Sequence, residues 1–155
     1  MKDKVALVMG GGAGTGRATA LAFAAQGAAV VVADINEKGG QTSLDAIEEQ
    51  GGKGLFVAAN MASATDIQRV IAATESAFGA LHFVSNNAAL AAPSRPVVDV
   101  SEQEFDRCMG VTLRGVWLAM KYELPLIEAS GGGAIVNIAS VSGLRGEAYQ
   151  SIYAA

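Results

Sequence analysis

Five short runs of almost unbroken apolar residues constrain this chain more than any other feature. They are VALVM at 5–9, AAVVVAD at 28–34, GLFVAA at 54–59, LHFVSN at 81–86 and AIVNIAS at 134–140. Each is too uniformly apolar to keep one face wet, and a strand of that kind belongs in a parallel sheet covered by helices on both sides. The intervening segments have helical length. Residues 14–26 are rich in helix formers and stop before Gly27; Asn36 opens a helix to about Gln50; another runs from about Thr65 to Phe78 before Gly79. Ser101 and Glu104 form a capping box that starts a long helix to about Glu128, which Pro125 is expected to bend or end. The order βαβαβαβαβ predicts one α/β domain over residues 1–155, with right-handed crossovers.

Composition removes several function classes. Hydrophobic residues make up 51% of the 155 and charged ones 17%, which is incompatible with disorder. The net charge is −4 and the 11 basic residues are scattered, so no basic face for nucleic acid is expected. The first apolar run meets glycine too early for a signal peptide or membrane span. Cys108 is the single cysteine, so neither an intrachain disulfide nor a thiolate metal site is expected, and a buried thiol is the plain reading. No metal, nucleic-acid or membrane partner is anticipated, and a soluble cytoplasmic setting is the default.

The first strand runs straight into GGGAGTG, residues 10–16, and then a helix. Gly10, Gly14 and Gly16 stand where backbone must turn tightly or approach a ligand closely, and Gly12 and Thr15 share the loop. Amides at the start of the helix, at its positive dipole end, suit a pyrophosphate. The loop lacks the Gly-Lys-Ser/Thr ending of a nucleoside-triphosphate site. Asp34 closes the second strand eighteen residues after Gly16, where a carboxylate can accept both hydroxyls of an adenosine ribose and repel a 2′-phosphate. Ile35 and Asn36 beside it supply no cation, which favours NAD over NADP. The plainer alternatives are a glycine-rich turn without a ligand and a solvated loop acid beside the Asn36 cap.

The spacing G-x-x-x-G-x-G, the NNAA turn at 86–89 and the strand ending IVNIAS resemble the short-chain dehydrogenases/reductases along the whole chain. The resemblance implies a Rossmann-type doubly wound parallel sheet in three α/β/α layers, with five of the family's seven strands present. It implies hydride transfer between a nicotinamide and a secondary alcohol, sugar or ketone, in a dimer or tetramer. Carried over by position, Asn86 and Asn87 match the family's Asn-Asn-Ala-Gly turn, with Ala88 in it. Asn60 and Met61 match the pair that meets adenine, although the family usually has Asp at the first. Ser140 matches the serine that binds the substrate oxygen and Tyr153 the tyrosine that exchanges its proton, at the family's own separation of thirteen residues.

The chemistry accounts for these residue types. A proton must cross to the oxygen that gains or loses hydride. A free phenol, with a pKa of about 10, is a poor base near neutrality. The family lowers it with a lysine four residues on, which here falls at position 157, two past Ala155. Two further departures are Met9, where the family usually has Thr, and Thr112, where it has the Asn that anchors a proton-relay water. Tyr149 and Ser142 lack the thirteen-residue spacing and read as loop residues, with Ser142 near substrate. His82, the one histidine, reads as structural; Trp117, Met120 and Tyr122 read as core or subunit packing; Glu102, Glu104 and Asp106 read as a solvated first turn. Two functional expectations result: an NAD-dependent dehydrogenase continuing past Ala155, or a truncated module that binds NAD(H) without turnover. The fifth strand of such a chain would expose an apolar edge, and SIYAA would open a helix.

Overall fold

A computed structural model describes residues 1–91 and 93–155 of the chain. Strands β1 (Val5–Met9), β2 (Ala29–Asp34), β3 (Lys53–Ala58), β4 (Phe83–Asn86) and β5 (Ala134–Asn137) form one sheet in the order β3-β2-β1-β4-β5. Every pairing is parallel. Helices α1 (Gly14–Ala25) and α2 (Glu37–Glu49) follow β1 and β2, and α3 (Ala64–Phe78) follows β3. After β4 come α4 (Glu102–Met109), a π-helical segment Gly110–Gly115 and α5 (Val116–Ala129), in one continuous helical run. This is the parallel α/β sheet predicted from the alternating runs, in the doubly wound form that the resemblance implies.

Side-chain alternation along the strands separates two apolar layers. Ala6 and Val8 of β1, with Val30 and Val32 of β2, pack with Ala20, Ala24 and Ile47 of α1 and α2. Leu7, Met9, Val31 and Ala33 face the other way, toward Ile67 and Val70 of α3 and Leu118 and Ala119 of α5. Each Val, Leu, Ile or Met side chain among them, fully removed from water, contributes roughly 1.5–3 kcal/mol.

The caps agree with the sequence. Asn36 accepts from the amide of Gly39 at 3.0 Å and opens α2, Ser63 accepts from Asp66 at 3.2 Å and opens α3, and Ser101 and Glu104 complete the capping box of α4. Glu104 also ion-pairs with Arg95 at 2.9 Å, so it is more than a solvated first-turn acid. The loop carrying these residues is thereby tied to the helix.

Two expectations are corrected. Pro125 lies inside α5, which runs on to Ala129. The carbonyl deprived of a helical partner is that of Lys121, and both residues lie on the exposed face of the helix. The fifth strand ends at Asn137, short of Ser140, and Ser140 instead caps a 3₁₀ turn, Val141–Leu144. SIYAA forms a turn of helical type, in line with the expected opening of a helix, closed by the amide of Ala154 donating to the carbonyl of Gln150 at 2.9 Å. The strand β5 does present an open edge, with Val136 55% exposed.

His82 packs as a structural residue. Its Nδ1 accepts from the amide of Val5 at 3.2 Å, and burial first, then Lys4, holds its pKa below the ordinary value, which keeps that acceptor neutral. Among the described residues no helix is long and apolar enough to cross a membrane.

Candidate active site

The order of strands reverses between β1 and β4, and ligands of doubly wound sheets bind in the crevice beyond the strand ends at such a point. Here Met9 and Asn86 are in register at those ends. The carbonyl of Met9 accepts from the amides of both Asn87 and Ala88, at 2.8 and 3.0 Å. The turn is thus tied to β1 through backbone, and no hydroxyl at position 9 is needed; the Met9 side chain is fully buried in the core. Gly10 turns away at φ +77°, and a Cβ there would lie 2.7 Å from the amide nitrogen of Ala88. Both loops can leave side by side only because residue 10 is glycine.

The glycine loop folds back over β2. Amides of Gly10 and Gly11 donate to the carbonyl of Ala33 at 2.7 and 3.1 Å. The amide of Gly12 donates to Asp34 Oδ2 at 2.8 Å, and the amide of Asn36 donates to Oδ1 at 2.8 Å. A Cβ on Gly16 would meet the carbonyl oxygen of Gly10 at 2.0 Å, so α1 starts in contact with the loop. Arg17 locks the arrangement from the side, donating to the carbonyls of Gly12 and Gly39 and to Ser43 Oγ at 2.9 Å. Ser43, fully buried, donates in turn to the carbonyl of Gly11 at 2.8 Å. Helix α1 has no side-chain cap, Ala13 standing at its N-cap, so the first-turn amides keep their donors for a ligand.

A cleft of about 390 Å³ opens over these loops. Its wall carries Gly10, Asp34, Ile35, Asn60, Met61, Asn87 and Ala88 of the expected set. Asn60 is held there by its amide, which donates to Asp66 Oδ2 at 2.9 Å, a bond that, with Arg69, holds the Asp66 carboxyl below its ordinary range. Asn60 Oδ1 already accepts from Ala62 at 2.9 Å, leaving one lone pair and the free amide nitrogen toward a ligand. Asn87 donates to the carbonyl and hydroxyl of Ser85, at 3.1 and 2.8 Å, while its Oδ1 is buried without a partner. An orphaned acceptor on a cleft wall fits a ligand that brings a donor. Gly12, Gly14, Thr15 and Gly16 lie off this wall, on the loop and first turn of α1. Because Gly12 gives its amide to Asp34 and its carbonyl to Arg17, it shapes the loop and has neither group free for a ligand.

Sequence reasoning missed part of the wall: Ala89, the last residue of the Asn turn, Leu90 beyond it, and Arg107 and Val111 from the α4 run. The π-helical segment is the reason for the last. It inserts extra residues per turn between Cys108 and Val116, and Gly115 lets it approach the loop after β3, where a Cβ would meet the carbonyl oxygen of Met61 at 2.6 Å. A glycine at each end of that segment, Gly110 and Gly115, was the available signal.

Thr112 sits on this segment, its Oγ1 donating to the carbonyl of Leu90 at 3.4 Å and lying 3.8 Å from Cys108 Sγ. Cys108 is buried, its thiol 3.1 Å from the same carbonyl. Tyr153, half-buried, packs against the Cys108–Ile152 pair. Thr112 and Tyr153 therefore border one residue. Ser140 accepts from the amide of Ser142 at 3.1 Å, so its hydroxyl proton remains available for donation. Ser142 itself donates to Glu147 at 3.1 Å. Among the described residues no hydrogen bond joins Ser140 to Tyr153, and no three His, Cys, Asp or Glu side chains gather as a metal site.

Comparison with known proteins agrees with this geometry. The family model described as short chain dehydrogenase matches residues 4–155. A cyclohexanol dehydrogenase of Acinetobacter sp. (strain SE19) is 43% identical over 144 residues, covering 93% of this chain and 57% of that protein. A levodione reductase of Leifsonia aquatica is 36% identical over 155 residues, covering 99% of this chain and 58% of the relative. Among solved structures, a levodione reductase superposes with a TM-score of 0.95 at 35% identity, over 99% of this chain and 60% of that one. An NAD⁺-bound xylitol dehydrogenase superposes with a TM-score of 0.94 at 27% identity, over 99% and 59% respectively. The chain thus spans less than two thirds of the length of these relatives. By sequence and by fold, the chain belongs to the short-chain dehydrogenase family.

Proposed function

We propose that the cleft holds NAD and that the protein interconverts a secondary alcohol, or a sugar hydroxyl, and its ketone. The observation that carries the cofactor choice is Asp34 on the cleft wall, its carboxylate oxygens held by two backbone amides. A fixed anion at the end of β2 accepts ribose hydroxyls and repels a 2′-phosphate. Arg17, the basic side chain of the glycine loop, is committed to carbonyls and to Ser43. Arg107 reaches the wall from α4 rather than from the β2–α2 corner.

The uncapped amides of α1 would hold pyrophosphate, with Gly14, Thr15 and Gly16 forming its cradle. Asn60, Met61, Ile35 and Ala88 would border the adenosine half, and the orphaned Oδ1 of Asn87 would take a donor from the cofactor. The nicotinamide supplies or accepts the hydride. Ser140, with its proton free, would donate to the substrate oxygen as charge develops on it. Tyr153 would exchange the proton, and Thr112 would hold the relay water. The relatives named for cyclohexanol, levodione and xylitol make a cyclic or polyhydroxylated secondary alcohol the first substrate class to try.

The test is fluorescence titration with NADH and NADPH, followed by NADH formation across a panel of cyclic alcohols and polyols. Saturable binding of NADH, with NADPH weaker, is expected. Preference for NADPH would overturn the cofactor assignment, and binding without turnover on any panel member would overturn the reaction.

A further inference from the structure

Glu123 stands in the middle of α5 and is fully buried. Its helical neighbours Ala119, Leu126 and Ile127 belong to the core, so it is an acid on an otherwise apolar stripe. Among the described residues no cation pairs with it. Its hydrogen-bond partner is Asn86, whose Nδ2 lies 3.3 Å from Oε2. The same Nδ2 lies 2.9 Å from Asn137 Oδ1, the register partner of Asn86 across β4 and β5. The carboxyl therefore reaches, through one side chain, the last residue of β4 and the strand beside it.

The cleft wall begins directly after β4. Asn87 and Ala88, whose amides clasp Met9, are the next two residues. Three buried oxygens in this neighbourhood have no partner: Asn86 Oδ1, Asn87 Oδ1 and Glu123 Oε1. All three are acceptors, so an ionised Glu123 would add a charge to a region already lacking donors. A neutral carboxyl supplies a donor instead. Burial pushes this carboxyl up to about 7, against the opposing hydrogen bond from Asn86. An apolar side chain would fill the same space without that burden, so stability is a weak reason for a carboxyl here.

We infer that Glu123 is a positioning residue for the cofactor cleft: its carboxyl holds Asn86, and through Asn86 the Asn87–Ala88 turn that closes the wall over Gly10. The inference rests on the reading that the cleft takes a dinucleotide. It is tested by NADH titration of the wild type, Glu123→Gln, Glu123→Leu and Glu123→Asp, well below their unfolding temperatures. Gln keeps the reach and both hydrogen-bonding roles, and its affinity should stay within about twofold of wild type. Leu should weaken NADH binding about tenfold, as expected for a buried partner left unpaired. A Leu variant that unfolds at lower temperature but binds NADH like wild type would overturn the inference, because a merely structural residue behaves so. Loss of affinity in Gln equal to that in Leu would overturn it too, since ionic character would then be what counts. Should Leu fail to fold, Asp keeps the acid but withdraws it from Asn86. About tenfold weaker binding is expected there, and unchanged binding refutes the role. Wild type that does not bind NADH at all would sink the dinucleotide reading and this inference with it. Normal wild-type binding with indifferent variants sinks this inference alone.

Discussion

Asp34 Oδ2 accepts the backbone amide of Gly12 at 2.8 Å, joining the end of β2 to the middle of the glycine loop across 22 positions. The other carboxylate oxygen holds Asn36, the N-cap of α2. One side chain thus shapes the loop and lines the cleft.

Replacing Asp34 by Ala removes both bonds. NADH affinity should fall by about tenfold or more, while the discrimination against NADPH shrinks. Parallel titrations with the two cofactors check this; unchanged discrimination would count against Asp34 as the selector.

At Gly10 the prediction concerns the backbone. Gly10→Ala places a methyl group 2.7 Å from the Ala88 nitrogen at φ +77°, so the two loops must separate. Denaturant unfolding should show a loss of about 1–3 kcal/mol, and NADH binding should weaken with it.

Glu123 predicts a pH dependence of stability. Its folded pKa of about 7 exceeds the ordinary value of 4.5, so the folded state holds the proton more tightly. Its contribution is full below about pH 4.5 and is lost as pH rises toward 7. The loss amounts to about 3 kcal/mol. Melting temperatures across that window should decline in wild type and be flatter in Glu123→Gln; parallel curves would contradict the assignment.

The proposed chemistry separates binding from turnover. Tyr153→Phe and Ser140→Ala leave the glycine loop and the cleft wall untouched, so NADH titrations should match wild type. Turnover should drop by about 10²–10⁴-fold for the Tyr153 change. A Tyr153→Phe variant with undiminished kcat would remove Tyr153 from the proton transfer.

Much of this architecture is legible locally. The central strand runs, β1 and β2, were readable because burial on both faces leaves almost no polar position. The loop at 10–16 and Asp34 were readable because tight turns need glycine and strand ends recur at fixed distance. Caps at Asn36 and Ser101 depend on three neighbouring residues, and the separation of Ser140 from Tyr153 is a count along the chain.

Contacts between distant segments were not legible. Nothing near Arg17 in the chain says that its guanidinium will be consumed by Ser43, 26 positions on. Nothing in the chain around Glu123 says that α5 will pack against β4 and β5 and remove it from water. Periodicity and turn chemistry are properties of a few adjacent residues, and the sequence alone determined them. Desolvation and hydrogen-bond partnership depend on which elements meet, and only the tertiary structure decided those.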